Sequence, residues 1–181
     1  MPSDYRTPTV TSIGGRDGAV RSADGLIDLQ VALPTELGGP GSKTNPEELF
    51  AAGYAACFHS AVKGVAAAKK IAIGKSIVEA NVSLDLVDNG PRRKLGAELH
   101  VILPGADVDA ARDVVRGAHE LCPYSNATRN NITVQLSVTD PNFRASAAPV
   151  EVRTANPSPR CCVASRSWER RTSDLRQDSH R

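Results

Sequence analysis

Asn45-Pro46-Glu47-Glu48-Leu49-Phe50-Ala51-Ala52-Gly53-Tyr54-Ala55-Ala56-Cys57-Phe58 opens a run rich in Ala, Leu, Glu and Lys that continues to Lys70 with no proline after Pro46. Proline is well suited to the first position of a helix, where its missing N–H is no loss, and two acids in the first turn complement the helix dipole. The run therefore predicts a helix from about 46 to 70. Its small residues Ala51, Ala52, Gly53, Ala55 and Ala56, with apolar residues on several faces, predict a long central helix closely packed by neighbours on most sides.

On the N-terminal side, short runs at 9–13, 19–21 and 26–33 read as strands, with Gly14-Gly15-Arg16-Asp17-Gly18 as the first turn, giving a β-meander. On the C-terminal side, Val78, Ala80, Val82, Leu84 and Leu86 alternate with polar residues. They end at Asp88-Asn89-Gly90-Pro91 and are answered by a second run at 94–103, a β-hairpin. Asp107 can cap a second helix in which Val108, Ala111, Val115, Ala118 and Cys122 recur at helical spacing, ending at Pro123. A last strand follows at 132–138. The class is α+β. Gly38-Gly39-Pro40-Gly41-Ser42-Lys43-Thr44 superficially suggests a phosphate loop, but Ser42 separates Gly from Lys and no hydrophobic strand runs into it, so a nucleotide site is not expected.

The 181 residues suit one domain large enough to bury a core without disulfide staples. No apolar run approaches the roughly 20 residues of a membrane-spanning helix. The first residues, MPSDYRTPTV, have neither the basic nor the apolar region of a secretory signal, so a soluble protein in a reducing cytoplasm is expected, with free thiols. The sequons at Asn81, Asn126 and Asn131 then read as chance matches. The net charge of +2 hides an asymmetry, because residues 141–181 hold eight Arg, four acids and no Lys, +4, which leaves −2 for the rest. A mildly acidic body with few aromatics has no electrostatic footprint for nucleic acid. We therefore expect a domain over 1–140 and a disordered basic extension over 141–181, whose composition cannot bury enough apolar surface to offset ordering entropy. A tail without Lys, against six Lys in the body, fits an extension read in an altered coding frame; a mass spectrum ending near residue 142 would contradict it.

Cys57 lies in the middle of the long helix and Cys122 where the second helix stops, in Cys122-Pro123-Tyr124-Ser125, a position expected to be partly accessible and mobile. Two such cysteines in a reducing compartment suit attack and resolution chemistry, in which a thiolate becomes a sulfenic acid and a second thiol condenses with it. A free Cys is also often a small buried hydrophobe. Glu47 precedes Cys57 by ten positions on the same helix, on nearly the same face but roughly 15 Å away, so it acts on the sulfur only through a bridging side chain. Arg16 is a candidate bridge: a guanidinium can bind a carboxylate and lower a thiol pKa from about 8.5 into the reactive range. Against this, Arg16 reads equally as an exposed turn residue and Glu47 as a solvated first-turn acid. A zinc site from Cys57, His59, His119 and Cys122 is weighed and disfavoured, since Cys57 and His59 are about 200° apart around the helix. His59 and His119 are read instead as surface or cap residues, and Cys161-Cys162 as adventitious.

The body, over about 5–140, resembles the organic hydroperoxide resistance proteins, the Ohr branch of the Ohr/OsmC superfamily. The matching segments are Asn45 through Phe58, quoted above, and Ala118-His119-Glu120-Leu121-Cys122-Pro123-Tyr124-Ser125-Asn126-Ala127. The resemblance implies an OsmC/Ohr-like fold assembled as an intertwined homodimer. It implies a peroxidatic Cys57, an Arg16–Glu47 network that activates it, and a Cys122 that closes an intramolecular disulfide. It further implies organic (alkyl and fatty-acid) hydroperoxides as substrates in oxidative-stress defence, no cofactor or metal, and dihydrolipoamide or a lipoylated protein as reductant. The forty-residue extension departs from the family pattern and bears on dimer packing. A non-catalytic thiol sensor and a structural dimer with inert cysteines are the alternatives.

Overall fold

The computed structural model describes residues 5–87, 90–139 and 150–152. Strands β1 (Val10–Ile13), β2 (Gly18–Ser22) and β3 (Asp28–Val31) form an antiparallel meander. A short 3-10 turn at Thr35–Leu37 leads to α1 (Pro46–Ala68). Then come the hairpin β4 (Ile77–Leu86) and β5 (Arg93–Ile102), helices α2 (Val108–Leu121) and α3 (Pro123–Thr128), β6 (Thr133–Val138) and β7 (Val150–Glu151). The second sheet runs β4-β5-β6-β7, with β5 and β6 parallel and the other pairs antiparallel. A parallel pair needs a crossover, and α2 with α3 supplies it.

Each strand of this sheet puts alternate residues on opposite faces. Val78, Ala80 and Val82 of β4, Ala97, Leu99 and Val101 of β5, and Val134, Leu136 and Val138 of β6 face the helices. Glu79, Asn81, Ser83, Glu98 and Gln135 lie on the solvent side. Helix α1 buries Tyr54, Phe58, Val62, Val65 and Ala66 against the sheet and α2. A fully buried side chain of this kind stabilises the fold by about 2 kcal/mol.

At its start Asn45 and Glu48 satisfy each other: the Glu48 N–H donates to Asn45 Oδ1 at 2.9 Å, and Asn45 Nδ2 donates to Glu48 Oε1 at 3.1 Å. This is a capping arrangement that also fixes where the helix begins. The expected closure of α1 by neighbours on most sides is not met within one chain. Its neighbours β4, α2 and α3 occupy one side, and Ala52, Ala56, Ser60, Gly64 and Ala67 are exposed.

Two further differences concern the second half. Pro123 does end α2, but the chain does not become a loop there; Pro123 sits at the first position of α3, the same preference that opens α1. The expectation of disorder over 141–181 does not hold at 150–152. There β7 pairs with β6, the Val152 N–H donates to the Leu136 carbonyl at 2.7 Å, and Val152 is 5% exposed within the core. The rest of that stretch lies outside the described residues. No helix among the described residues is long and apolar enough to cross a membrane.

Asn45→Ala removes both capping bonds and should lower unfolding free energy by about 1 kcal/mol. Urea denaturation followed by circular dichroism checks this, with an unchanged midpoint as the contrary result.

Candidate active site

The two sulfurs meet where α1 lies against the α2–α3 junction, and the first turn of the meander reaches the start of α1 through Arg16. Cys57 is at the middle of α1, one position before the buried Phe58, and is partly exposed. Cys122 is at once the C-cap of α2 and the N-cap of α3, in an extended conformation (φ −66°, ψ 122°) between the two helices. Its N–H still donates to the Ala118 carbonyl, so the break falls after it rather than before. Arg129 closes the end of α2 from outside, donating Nη2–H to the His119 carbonyl at 2.9 Å and Nη1–H to Glu120 at 2.7 Å. The result is an S···S distance of 3.4 Å between two residues 65 positions apart.

The burial of the two sulfurs is the reverse of the sequence expectation. Cys122, expected to be partly accessible and mobile, is 0% exposed, while Cys57 keeps some contact with solvent. The reason is α3, which folds back on α1 and covers Cys122. Tyr124 of α3 lies over Gly53, where a β-carbon would come within 3.2 Å of the tyrosine ring, so a larger residue there would displace it.

Three influences act on the Cys57 thiol. Burial is the largest and raises its pKa above the ordinary range, the Tyr124 backbone N–H directed at the sulfur lowers it, and the neighbouring Cys122 raises it again. Arg16, expected to lower this pKa, is not among them; its guanidinium is engaged elsewhere. Arg16 and Glu47 form a two-pronged ion pair, Nη1 to Oε2 at 2.8 Å and Nη2 to Oε1 at 2.6 Å. That geometry is the strong form of a carboxylate contact. The turn that presents Arg16 depends on glycine: Gly14 has φ +78°, and a β-carbon on Gly18 would lie 1.9 Å from the Ile13 carbonyl oxygen. The hydrogen bonds from Arg16 hold the Glu47 carboxyl below the usual carboxylate range, against a smaller opposing effect of burial.

Around the sulfurs stands an aromatic group: Phe50, Tyr54, Phe58 and Tyr124, with ring centroids 5.8 to 6.4 Å apart in successive contacts. The buried Tyr54 hydroxyl reaches Ser125 Oγ at 3.0 Å and Thr128 Oγ1 at 3.4 Å. Sequence reasoning gave none of these polar groups a role. Pro123 immediately after Cys122 is the available signal, since proline suits a first helical position and a helix starting there leaves free N–H groups next to the cysteine. His119, read as a surface or cap residue, is buried at 7% exposure, and burial lowers its pKa. His59 instead bonds Ser76 Oγ at 2.8 Å. Among the described residues no group of three or more His, Cys, Asp or Glu is disposed to hold a metal ion. Cys161 and Cys162 lie outside the described residues.

An α+β chain with two near-contact thiols across a helix break, and an Arg–Glu pair at the start of the helix that carries one of them, defines a class of small thiol protein. Residues 39–137 match the OsmC-like protein family. The chain is 46% identical over 142 residues to the organic hydroperoxide resistance protein-like 2 of Staphylococcus epidermidis, covering 77% of this chain and 99% of that one. It is 45% identical over 147 residues to organic hydroperoxide resistance protein OhrA of Bacillus subtilis, covering 77% of this chain and all of the relative. Among solved structures, an organic hydroperoxide resistance protein from Legionella pneumophila superposes with a TM-score of 0.71 at 46% identity, covering 76% of this chain and 99% of that chain. The chain belongs to the OsmC family and, within it, to the organic hydroperoxide resistance branch.

Because the folded-state pKa of Glu47 is depressed, the stability that the Arg16–Glu47 pair contributes is present above the unfolded Glu value. It is lost as pH falls through the lower folded value. A carboxyl NMR titration should place Glu47 below about 4.3 and return it toward that value in Arg16→Ala. A normal midpoint in the unaltered protein would show that the pair does not persist in solution.

Proposed function

We propose that the protein is a thiol-dependent peroxidase that reduces organic hydroperoxides to alcohols, with Cys57 as the attacking sulfur and Cys122 as the resolving one. The observation that carries this reading is the 3.4 Å approach of the two sulfurs, in a chain whose relatives are named for organic hydroperoxide resistance. The Cys57 thiolate attacks the distal peroxide oxygen, the O–O bond breaks, and the alkoxide leaves and takes up a proton as the alcohol, with sulfenic acid left on Cys57. The Cys122 thiol then displaces hydroxide from that sulfur; the hydroxide leaves as water with the thiol's proton, and a disulfide remains. An external dithiol, dihydrolipoamide or a lipoylated protein, returns both cysteines to thiols and is itself oxidised to its disulfide. No cofactor enters these steps.

The exposed part of the site supports a preference for bulky substrates. Phe50 and Tyr124 offer apolar surface beside the more open of the two sulfurs, and an alkyl chain gains from leaving water there whereas hydrogen peroxide does not. Burial raises the Cys57 thiol, which on its own favours an inert cysteine, so attack at neutral pH needs a cation. We assign this to Arg16 on the strength of the family resemblance, its guanidinium being paired here with Glu47 at the start of the helix that carries Cys57 and not acting on the sulfur in this arrangement. An intertwined homodimer agrees with the exposed small-residue face of α1 and with a meander that pairs within itself and makes only slight contact with the other elements.

Steady-state turnover of cumene hydroperoxide with dihydrolipoamide tests the reading. Cys57→Ser should abolish turnover, and Cys122→Ser should allow one oxidation followed by loss of activity as Cys57 passes to sulfinic acid. Stoichiometric oxidation of the unaltered protein without turnover would favour a sensor, and sustained turnover by Cys122→Ser would remove its resolving role. Arg16→Ala should raise the Cys57 pKa and slow oxidation, each unit of rise costing about tenfold in thiolate near neutral pH. Thiolate absorbance against pH and stopped-flow oxidation measure the two effects, and unchanged values would take Arg16 out of the mechanism.

A further inference from the structure

The cysteine pair is backed by a hydroxyl network that the chemistry above does not use. Tyr54 stands three positions before Cys57 on α1, and Ser125 three positions after Cys122 on α3. Both are 0% exposed, and the Tyr54 hydroxyl and Ser125 Oγ lie 3.0 Å apart. Thr128 adds a contact at 3.4 Å to the same hydroxyl and donates its own Oγ1–H to the Tyr124 carbonyl at 2.9 Å. Charge on either sulfur disfavours the Tyr54 phenolate, which places the hydroxyl within electrostatic range of both.

Within the apolar interior of the helix layer, this hydroxyl bridge ties the helix of Cys57 to the short helix after Cys122. A buried hydrogen bond is directional, unlike the aromatic packing around it, so it fixes how far α3 can slide along or rotate against α1. Closing a disulfide requires the sulfurs to move from 3.4 Å to about 2.05 Å. That step must also outrun a second hydroperoxide, which would oxidise the sulfenic acid to sulfinic acid and release another alcohol.

We propose that Tyr54 is a positioning residue that, through its hydrogen bond to Ser125, holds α3 so that Cys122 captures the Cys57 sulfenic acid before a second hydroperoxide does. This rests on the peroxidase reading given above. The Tyr54 hydroxyl does not touch the peroxide, so its loss acts on the fate of the sulfenic acid and not on its formation.

The test is Tyr54→Phe, which deletes one oxygen and keeps the ring, together with Ser125→Ala and the double variant. Each full-length protein is treated with graded cumene hydroperoxide, and the fractions of Cys57–Cys122 disulfide and Cys57 sulfinic acid are read by mass spectrometry; stopped flow gives the first oxidation rate. In Tyr54→Phe the sulfinic fraction at a given peroxide concentration should rise roughly three- to tenfold, the range expected for loss of one buried hydrogen bond. The first oxidation rate should be unchanged. The double variant should be no worse than the worse single variant, because both remove the same bond. An unchanged partition in Tyr54→Phe, or fully additive effects, overturns the positioning role while leaving the peroxidase reading in place. Absence of any disulfide in the unaltered protein defeats that reading and this inference with it. A general loosening of the fold is separated by Val62→Ala, a core change on α1 one turn beyond Phe58, which should lower thermal stability without shifting the partition; an equal shift there overturns the proposal.

Discussion

The site depends on the burial of one face of α1. Tyr54, Phe58, Val62 and Val65 recur at helical spacing and are removed from water against the sheet, α2 and α3. That packing fixes the rotation of the helix about its axis, and the rotation decides what Cys57 faces. One residue before Phe58, it falls at the edge of the buried stripe, close enough to the interior to meet Cys122 and far enough out to meet a solute. Glu47, ten positions earlier, falls on the same side and receives Arg16. The chemistry therefore comes from three different separations along the chain, brought to register by a single apolar stripe.

Much of this arrangement could be read from local pattern. The alternation in β4 and β5, the Asn45-Pro46-Glu47-Glu48 helix start and the Asp107 cap are local signals, and the elements follow them within one to three residues at most boundaries. What failed was long-range or conditional. Whether Cys122 is covered depends on what Pro123 begins, and a proline after a helix reads as a stop unless the following six residues are weighed as a helix of their own. Its exposure was inverted for that reason, and that of His119 with it. The Arg16–Glu47 contact spans 31 positions and has no local signature; residue chemistry offered Arg16 as a candidate bridge beside an equal reading as an exposed turn residue, and likeness to known proteins chose between them. The sequence also gave no ground for a strand at Val150–Glu151, since two residues show no periodicity and the pairing is dictated by the open edge of β6.

Electrostatics and packing pull in opposite directions at the sulfur. The packing that brings Cys122 to Cys57 is also what raises the Cys57 thiol, and one backbone N–H from Tyr124 works against it. A helix mid-point offers no end dipole to a side chain there, so assistance has to arrive from other elements. In this chain the one such contribution at the sulfur is the amide from α3. Arg16 itself is held by its two-pronged pair with Glu47.

The sequence distance between the cysteines has a thermodynamic side. A covalent bond between positions 57 and 122 ties off a ring of about 65 residues, and excluding open conformations from the unfolded ensemble is worth about 4 kcal/mol on a chain-entropy account. Were that bond to form, oxidation state and resistance to denaturation would be linked quantities, the free-thiol form lacking the staple. The burial of Tyr54, Leu99 and Leu136 must accordingly be sufficient to hold the thiols in place unaided.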